Sequence, residues 1–125
     1  MIEFRVFGQP APQGSKTIMR GRLVEANKKL PAWRKAVQEA AEKLDFYSDE
    51  PLEVLITFYL ARPKTVKRKH ASVKPDIDKL IRGTLDPLTQ AGVIKDDALV
   101  VEVSARKEYC EPGQEGAWIQ IVETL

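Results

Sequence analysis

Cysteine and histidine are nearly missing from this chain: 125 residues contain one of each, Cys110 and His70. A single cysteine excludes an internal disulfide and a cysteine-built metal site, and a lone thiol fits a reducing cytoplasm. Long apolar runs are missing too. None approaches the ~20 residues of a transmembrane helix, and no signal peptide opens the chain. Net charge is small, +2 at neutral pH, which by itself implies no nucleic-acid partner. Neither an internal repeat nor a linker divides the sequence. What is present, 43% hydrophobic and 30% charged residues, is the makeup of one soluble globular domain over residues 1–125 with a single core.

The charge is unevenly placed. Between residues 16 and 35 lie Lys16, Arg20, Arg22, Lys28, Lys29, Arg34 and Lys35, against one acid, Glu25. Between residues 62 and 74 lie Arg62, Lys64, Lys67, Arg68, Lys69 and Lys74, together with His70 and no acid. The two segments hold 13 of the 20 basic residues, and local excesses of this kind make a footprint for phosphate. Either segment alone reads equally well as a solvated loop. The second runs straight into Asp76, which couples its positive charge to an acidic stretch. His70, inside it, is read as solvated or phosphate-contacting rather than as a metal ligand.

Residues 74–102, KPDIDKLIRGTLDPLTQAGVIKDDALVVE, are the most patterned stretch. Ile77, Leu80, Ile81, Thr84, Leu85, Leu88 and Ala91 fall within an arc of roughly 140° at helical periodicity, the mark of an amphipathic helix. Asp78, Lys79, Arg82, Asp86, Thr89 and Gln90 fill the other side. Pro75 disfavours helix before it, Asp76 is placed to cap the first turn, and Gly92 is a left-handed stop. Pro87 removes one internal hydrogen bond and crowds the carbonyl of Gly83, so a bend near 83–87 is expected.

Taken singly, Asp76 and Asp78 are ordinary helix-start residues, and Asp96 and Asp97 ordinary turn residues. In combination they suggest more. If the strand after Gly92 returns Asp97 to Asp76 and Asp78, three carboxylates share a small volume, which requires a compensating cation. Oxygen ligands without nearby cysteine or histidine suit Mg²⁺ or Mn²⁺. Spacing alone does not decide which end of that strand meets which end of the helix.

The run PDIDKLIRGTLDPLTQAGVIKDDALV resembles the signature of the RusA family of Holliday junction resolvases. The family pattern is a D-x-D at a helix start, an L-D-x-L further on, then A-G-x-x-x-D-D and an apolar strand, and each part is present in order. The resemblance implies a small homodimeric endonuclease of bacteria, prophages or phages. Such an enzyme cuts four-way DNA junctions symmetrically on two strands during recombination and repair. Carried over position by position, the metal-binding acids are Asp76, Asp78 and Asp97, with Asp96 in support. Arg82 stands where the family can carry a functional lysine, and Lys79 is the other candidate for steadying phosphate. Arg keeps the charge but not the geometry or hydration of Lys. Pairing of Asp78 with Arg82 on a solvated face is the plain alternative. The candidate DNA-contacting set is Lys16, Arg20, Arg22, Lys28, Lys29, Arg62, Lys64, Lys67, Arg68, Lys69, His70 and Lys74. Two rival functions stand beside resolution: a nuclease for flaps or forks, and a DNA-binding accessory protein without catalysis.

The remaining sequence supplies the scaffold. Residues 2–7 alternate as a half-buried strand, and GQPAPQGSK continues as a loop. Residues 31–44 carry Trp33, Val37, Ala40 and Leu44 at helical spacing, which makes Trp33 a core residue rather than a base-stacking platform. Residues 52–60 form a strand with Leu52, Val54, Ile56, Phe58 and Leu60 on one face. The run ARPKTVKRKHASVK has almost no core-forming residues and is expected to be a mobile loop that orders on DNA. Residues 98–108 alternate Leu99, Val101, Val103 and Ala105 against polar positions, and residues 117–123 give a last strand, expected to pair with its predecessor as a hairpin. The order β-α-β-α-β-β predicts an α/β (α+β) fold, a mixed sheet of about four strands with two helices against it.

Overall fold

The computed structural model describes residues 1–14, 16–25 and 27–124; the side chains of Lys16, Thr17, Val24 and Glu25 lie outside the description. A four-stranded mixed sheet is built from β1 (Ile2–Phe7), β4 (Leu52–Ala61), β5 (Val100–Cys110) and β6 (Gly116–Glu123), in the order β1-β6-β4-β5. Two helices, α1 (Leu30–Glu42) and α2 (Ile77–Gln90), pack on one face. A short hairpin of β2 (Lys16–Met19) and β3 (Arg22–Glu25) forms a second sheet. The α+β class and the two helices are as expected.

The core follows from the two periodicities. Alternate residues of β4, Leu52, Val54, Ile56 and Phe58, are buried, and so are Ile121, Ile119 and Ala117 of β6, the partners of the last three. Leu30, Trp33, Val37 and Ala41 of α1 and Leu80, Thr84 and Leu88 of α2 close over them. Each large apolar side chain taken from water there contributes about 1.5–3 kcal/mol. The opposite sheet face carries Leu55, Thr57, Tyr59 and Trp118 and remains partly exposed.

Three features depart from or add to the sequence reading. First, the basic segment after the first loop, which carries no strong periodicity, forms β2 and β3. Its turn places Arg20 (φ 51°) and Gly21 (φ 76°) in left-handed backbone, the geometry of a tight hairpin turn. Second, β5 and β6 are not partners. β5 pairs parallel to β4 through the β4–α2–β5 crossover, and β6 inserts between β4 and β1, antiparallel to both. Both strand ends lie beside the end of β4, so the short connection needs only to step across one strand, about 10 Å. Third, the apolar alternation of β5 is not a buried face throughout. β5 is an edge strand, and Val101 and Val103 are 64% and 37% exposed.

Residues 62–76 connect β4 to α2 without regular structure, and they are tied at several points. Ala71 is buried, Arg68 Nε donates to the Tyr109 hydroxyl at 2.9 Å, and Arg62 lies over the Tyr109 ring at 5.1 Å. Tyr109, near the end of β5, gives the loop an attachment that its own composition does not reveal.

Candidate functional site

The site begins where the basic loop becomes α2. Asp76 occupies the cap position in extended backbone (φ −69°, ψ 138°), yet its side chain makes no capping hydrogen bond. Its carboxylate instead lies 3.7 Å from Lys79 Nζ, a half-exposed pair that contributes little to stability. The plain capping role therefore does not use up this carboxylate. Asp78 is exposed in the first turn, where the helix dipole favours negative charge. Lys107, on β5, holds the approach: its Nζ donates to the carbonyls of Val73 (2.6 Å) and Pro75 (2.9 Å). The C-terminal half of β5 thus lies beside the start of α2.

The body of α2 is pinned by close approach and by buried polar contacts. A Cβ on Gly83 would lie 2.8 Å from the Ala11 carbonyl and 3.1 Å from Leu30 Cδ1, so glycine lets the first loop sit directly on the helix. The same loop is fixed by Gln13 N donating to the Lys79 carbonyl at 2.9 Å. Arg82 packs its guanidinium against Gly14 in that loop. Asp86, the acid of the L-D-x-L motif, forms a 2.8 Å ion pair with Arg34 of α1, and Arg34 also donates to Gln13 at 3.1 Å. Thr84 is fully buried; its hydroxyl donates to the Leu80 carbonyl (2.8 Å) and accepts from Trp33 Nε1 (3.1 Å). The helix continues through Pro87. It stops at Gly92 (φ 82°), where Gly92 N donates to Thr89 O and Val93 N to Leu88 O, a Schellman ending.

Asp97 lies at the other end of α2. It opens a single 3-10 turn, Asp97–Leu99, leading into β5, and the Thr89 hydroxyl donates to its carboxylate. Thr89 is in the last turn of the helix. From Asp76 to Thr89 the axis advances about 20 Å at 1.5 Å per residue. The question that spacing left open is thereby answered: β5 starts beside the C-terminal end of α2, and one chain keeps Asp97 apart from Asp76 and Asp78. Among the described residues, no three acidic, histidine or cysteine side chains gather as a metal cluster. Asp96 accepts from Ala98 N at 2.8 Å and caps the 3-10 turn, an ordinary structural role.

The two basic segments, far apart in sequence, meet at the acidic helix start. An open groove of about 450 Å³ is lined by Lys29 and Asn27 from one, Lys74 from the other, and Pro10, Asp76 and Lys79 between them. Of the remaining basic candidates, Lys28, Arg62, Lys64, Lys67, Arg68, Lys69 and His70 are exposed or partly so, and Arg20 and Arg22 project on the β2–β3 hairpin. Lys16, expected among them, has its side chain outside the described residues. Sequence reading missed Lys107 and Arg34 as positioning groups. Lys107 comes after Arg106 in an alternating strand, and only its place in the parallel pairing with Phe58 shows that it points to the helix side.

Comparison with known proteins bears on this arrangement. The family model described as "Endodeoxyribonuclease RusA" matches residues 5–121, nearly the whole chain. A relative from Aquifex aeolicus (strain VF5), "Crossover junction endodeoxyribonuclease RusA", is 31% identical over 123 residues, covering 96% of this chain and 90% of its own length. The D-x-D helix start, the basic groove around it and a match that spans the sheet and both helices lead to one conclusion: this chain belongs to the RusA family of endodeoxyribonucleases.

Proposed function

We propose that the protein is a divalent-metal-dependent endonuclease that resolves four-way DNA junctions by paired symmetric phosphodiester hydrolysis. The observation that carries this reading is the groove in which Lys29 and Lys74 flank Asp76 and Lys79. Acids set among phosphate-binding cations repel DNA on their own, so a pure binding protein gains nothing from them. With a bound cation they become the reaction centre. Asp76 and Asp78 are the ligand carboxylates at this end of α2, and Asp97, with Asp96 beside it, joins them from the second chain of the homodimer. Their donor set fits: hard oxygens, an Asp76 side chain not engaged in capping and an exposed Asp78. Mg²⁺ or Mn²⁺ bound there supplies the positive charge that activates water and neutralises the scissile phosphate.

The chain's own residues do the rest. Lys79 and Arg82 steady the phosphate from one helical turn beyond the acids. Lys107, through the Val73 and Pro75 carbonyls, fixes the backbone that carries Asp76. Lys29, Lys74 and the exposed cations of residues 62–74 hold the junction arms, which makes affinity depend on salt. The enzyme acts as a homodimer, because a four-way junction needs two cuts related by twofold symmetry. It works in the bacterial cytoplasm, where such DNA is found.

The test is cleavage of a synthetic mobile four-way junction against linear duplex, with Mg²⁺ and then with EDTA. Paired symmetric nicks in the junction that vanish in EDTA are expected. Asp76→Asn should abolish cutting while junction binding persists. Retained cutting by that variant in Mg²⁺ would refute the site, and junction binding without any cut in Mg²⁺ or Mn²⁺ would make the protein an accessory binder.

A further inference from the structure

Beside the phosphate groove lies a second hollow, of about 470 Å³, which the reaction centre proposed above does not use. Leu60 of β4 and Tyr109 of β5 are neighbours across the sheet and form one side of it. Alternation from the buried Phe58 puts both on the helix side of the sheet, just past the end of the core. Pro10 of the first loop and Pro63, Val73 and Pro75 of the β4–α2 connection form the other side. These are flat or branched apolar groups, and Val73 is 44% exposed. A hollow of this size with mainly apolar walls and a few polar groups has the makeup of a small-ligand site.

The hollow is continuous with the phosphate groove, because Gln9, Pro10, Lys74 and Pro75 line both. Pro75 directly precedes Asp76, so the hollow adjoins the acidic helix start. Cations surround its mouth: Arg68 and Lys74 line it, and Arg62 lies over the Tyr109 ring. Glu115 also lines it, but its carboxylate is engaged, accepting from Gly113 N at 3.0 Å. The walls are tied in place. Arg68 Nε donates to the Tyr109 hydroxyl, and Lys107 Nζ donates to the Val73 and Pro75 carbonyls. The hollow is therefore shaped before any ligand arrives, which lowers the cost of filling it.

The neighbouring groove decides what fits. A ligand with a phosphate between Lys29 and Lys74 and a flat apolar body beside it is a nucleotide whose base has left the stack. We infer that this hollow receives one unstacked nucleobase of the strand to be cut, next to the phosphate held in the groove. Tyr109 and the prolines give the base apolar surface to lie on, a contact open to all four bases because each has a π-face. The exposed Gln9 amide offers the base edge a donor and an acceptor. The inference rests on the junction-nuclease reading and adds to it the part of the DNA that is held besides phosphate. It also gives a reason for preferring branched DNA. Pairs at an open branch point have lost a stacking neighbour, so a base is extruded there at less cost than from a continuous duplex.

The test is a binding comparison in an Asp76→Asn background, so that no DNA is cut. Leu60→Trp fills the hollow from the strand side and Val73→Phe fills it from the loop side, each checked for folding by its thermal melt. Affinity is measured for a four-way junction and for the same junction carrying one abasic site, moved nucleotide by nucleotide through the branch point. Excluding the base should weaken binding of the intact junction about 5- to 100-fold, the range of base–aromatic stacking. The loss should disappear when the abasic site falls at one particular position, because no base is then left to exclude. Linear duplex should bind the filled variants and their parent equally. A loss that is the same at every abasic position, or no loss from either folded variant, overturns the inference. The two readings fail separately. A wild type that binds junctions but never cuts them removes the nuclease reading and leaves this comparison standing, whereas a chain with no affinity for junctions removes both.

Discussion

Replacing Thr84 with valine removes a single hydroxyl from the centre of α2 and tests how the helix is held. The hydroxyl makes two bonds, one to the Leu80 carbonyl and one from Trp33 Nε1. The Leu80 carbonyl keeps the backbone partner that the helix gives it, so its loss is small. Trp33 Nε1 is different. Trp33 is 1% exposed and Thr84 is 0% exposed, so no water reaches the indole N–H once the hydroxyl is gone. A buried unpaired donor costs about 1–3 kcal/mol, whereas the added methyl is nearly isosteric and contributes little. For a chain of this size that is a fall in Tm of roughly 4–12 °C by calorimetry. The control is Thr84→Val in a Trp33→Phe background, where the donor is already absent. There the valine should cost less than about 0.5 kcal/mol, and the difference is the coupling energy of the pair. Equal costs in the two backgrounds would refute the idea that this hydrogen bond joins α1 to α2.

Three other contacts give outcomes that can be measured. Gly83→Ala gains about 1 kcal/mol of helix propensity but drives a methyl to 2.8 Å from the Ala11 carbonyl. The first loop must move, at about 1–3 kcal/mol, so stability should be unchanged or lower while junction affinity falls as the groove opens. Unaltered affinity would separate the loop from DNA binding. Glu53 and Glu102 face each other across β4 and β5, and the Glu53 carboxyl is held above its ordinary value, first by its hydrogen bond with Glu102, then by burial and charge repulsion. A raised folded-state pKa gives stability that is present below 4.5 and lost as pH climbs through the folded value. Urea melts of Glu102→Gln should therefore exceed wild type at pH 7 and match it near pH 4, with the gap narrowed by salt. A constant difference across that range would exclude titration of Glu53 as the cause. Finally, burial raises the Cys110 thiol pKa, and Glu115 raises it further against the pull of Arg5. At pH 7.5 it should react with a disulfide reagent several-fold more slowly than in the unfolded chain, a rate read directly by absorbance.

Much of this was legible in the residues, and the limits have physical causes. The strands with alternating apolar residues and the two amphipathic helices are written in local periodicity, and the stops at Pro75 and Gly92 are written in backbone chemistry. The pairing of strands is not. Nothing local distinguishes β6 as a partner of β5 from β6 as an insert between β1 and β4, because both arrangements bury the same alternating residues. The β2–β3 hairpin was hidden because Ile18, Met19 and Leu23 are exposed and their positions therefore carry no burial pattern. The acids were recognisable as a group through their family spacing, but spacing is a one-dimensional quantity. Whether Asp97 returns to Asp76 depends on the direction of β5, and a parallel β4–α2–β5 unit sends it to the far end of the helix.

That direction links the fold to the activity. In a β-α-β unit the strand after the helix starts at the helix C-terminus, so acids just before the helix and just before the next strand are separated by the full helix length. A helix of this length, fixed by Thr84, Gly83 and the core leucines, keeps them about 16–20 Å apart in any single copy of the fold. Motion of a loop cannot close that gap, because Asp97 is bonded to Thr89 and Asp76 is fixed through Lys107 and the Val73 and Pro75 carbonyls. A single-chain three-acid centre and this topology are therefore incompatible. Either the chemistry uses only the Asp76–Asp78 end, or a second chain supplies the third acid. The homodimer proposed above takes the second course, and Asp97→Asn tests it: cutting lost with junction binding kept makes Asp97 part of the reaction centre, and cutting retained leaves the Asp76–Asp78 end to act alone.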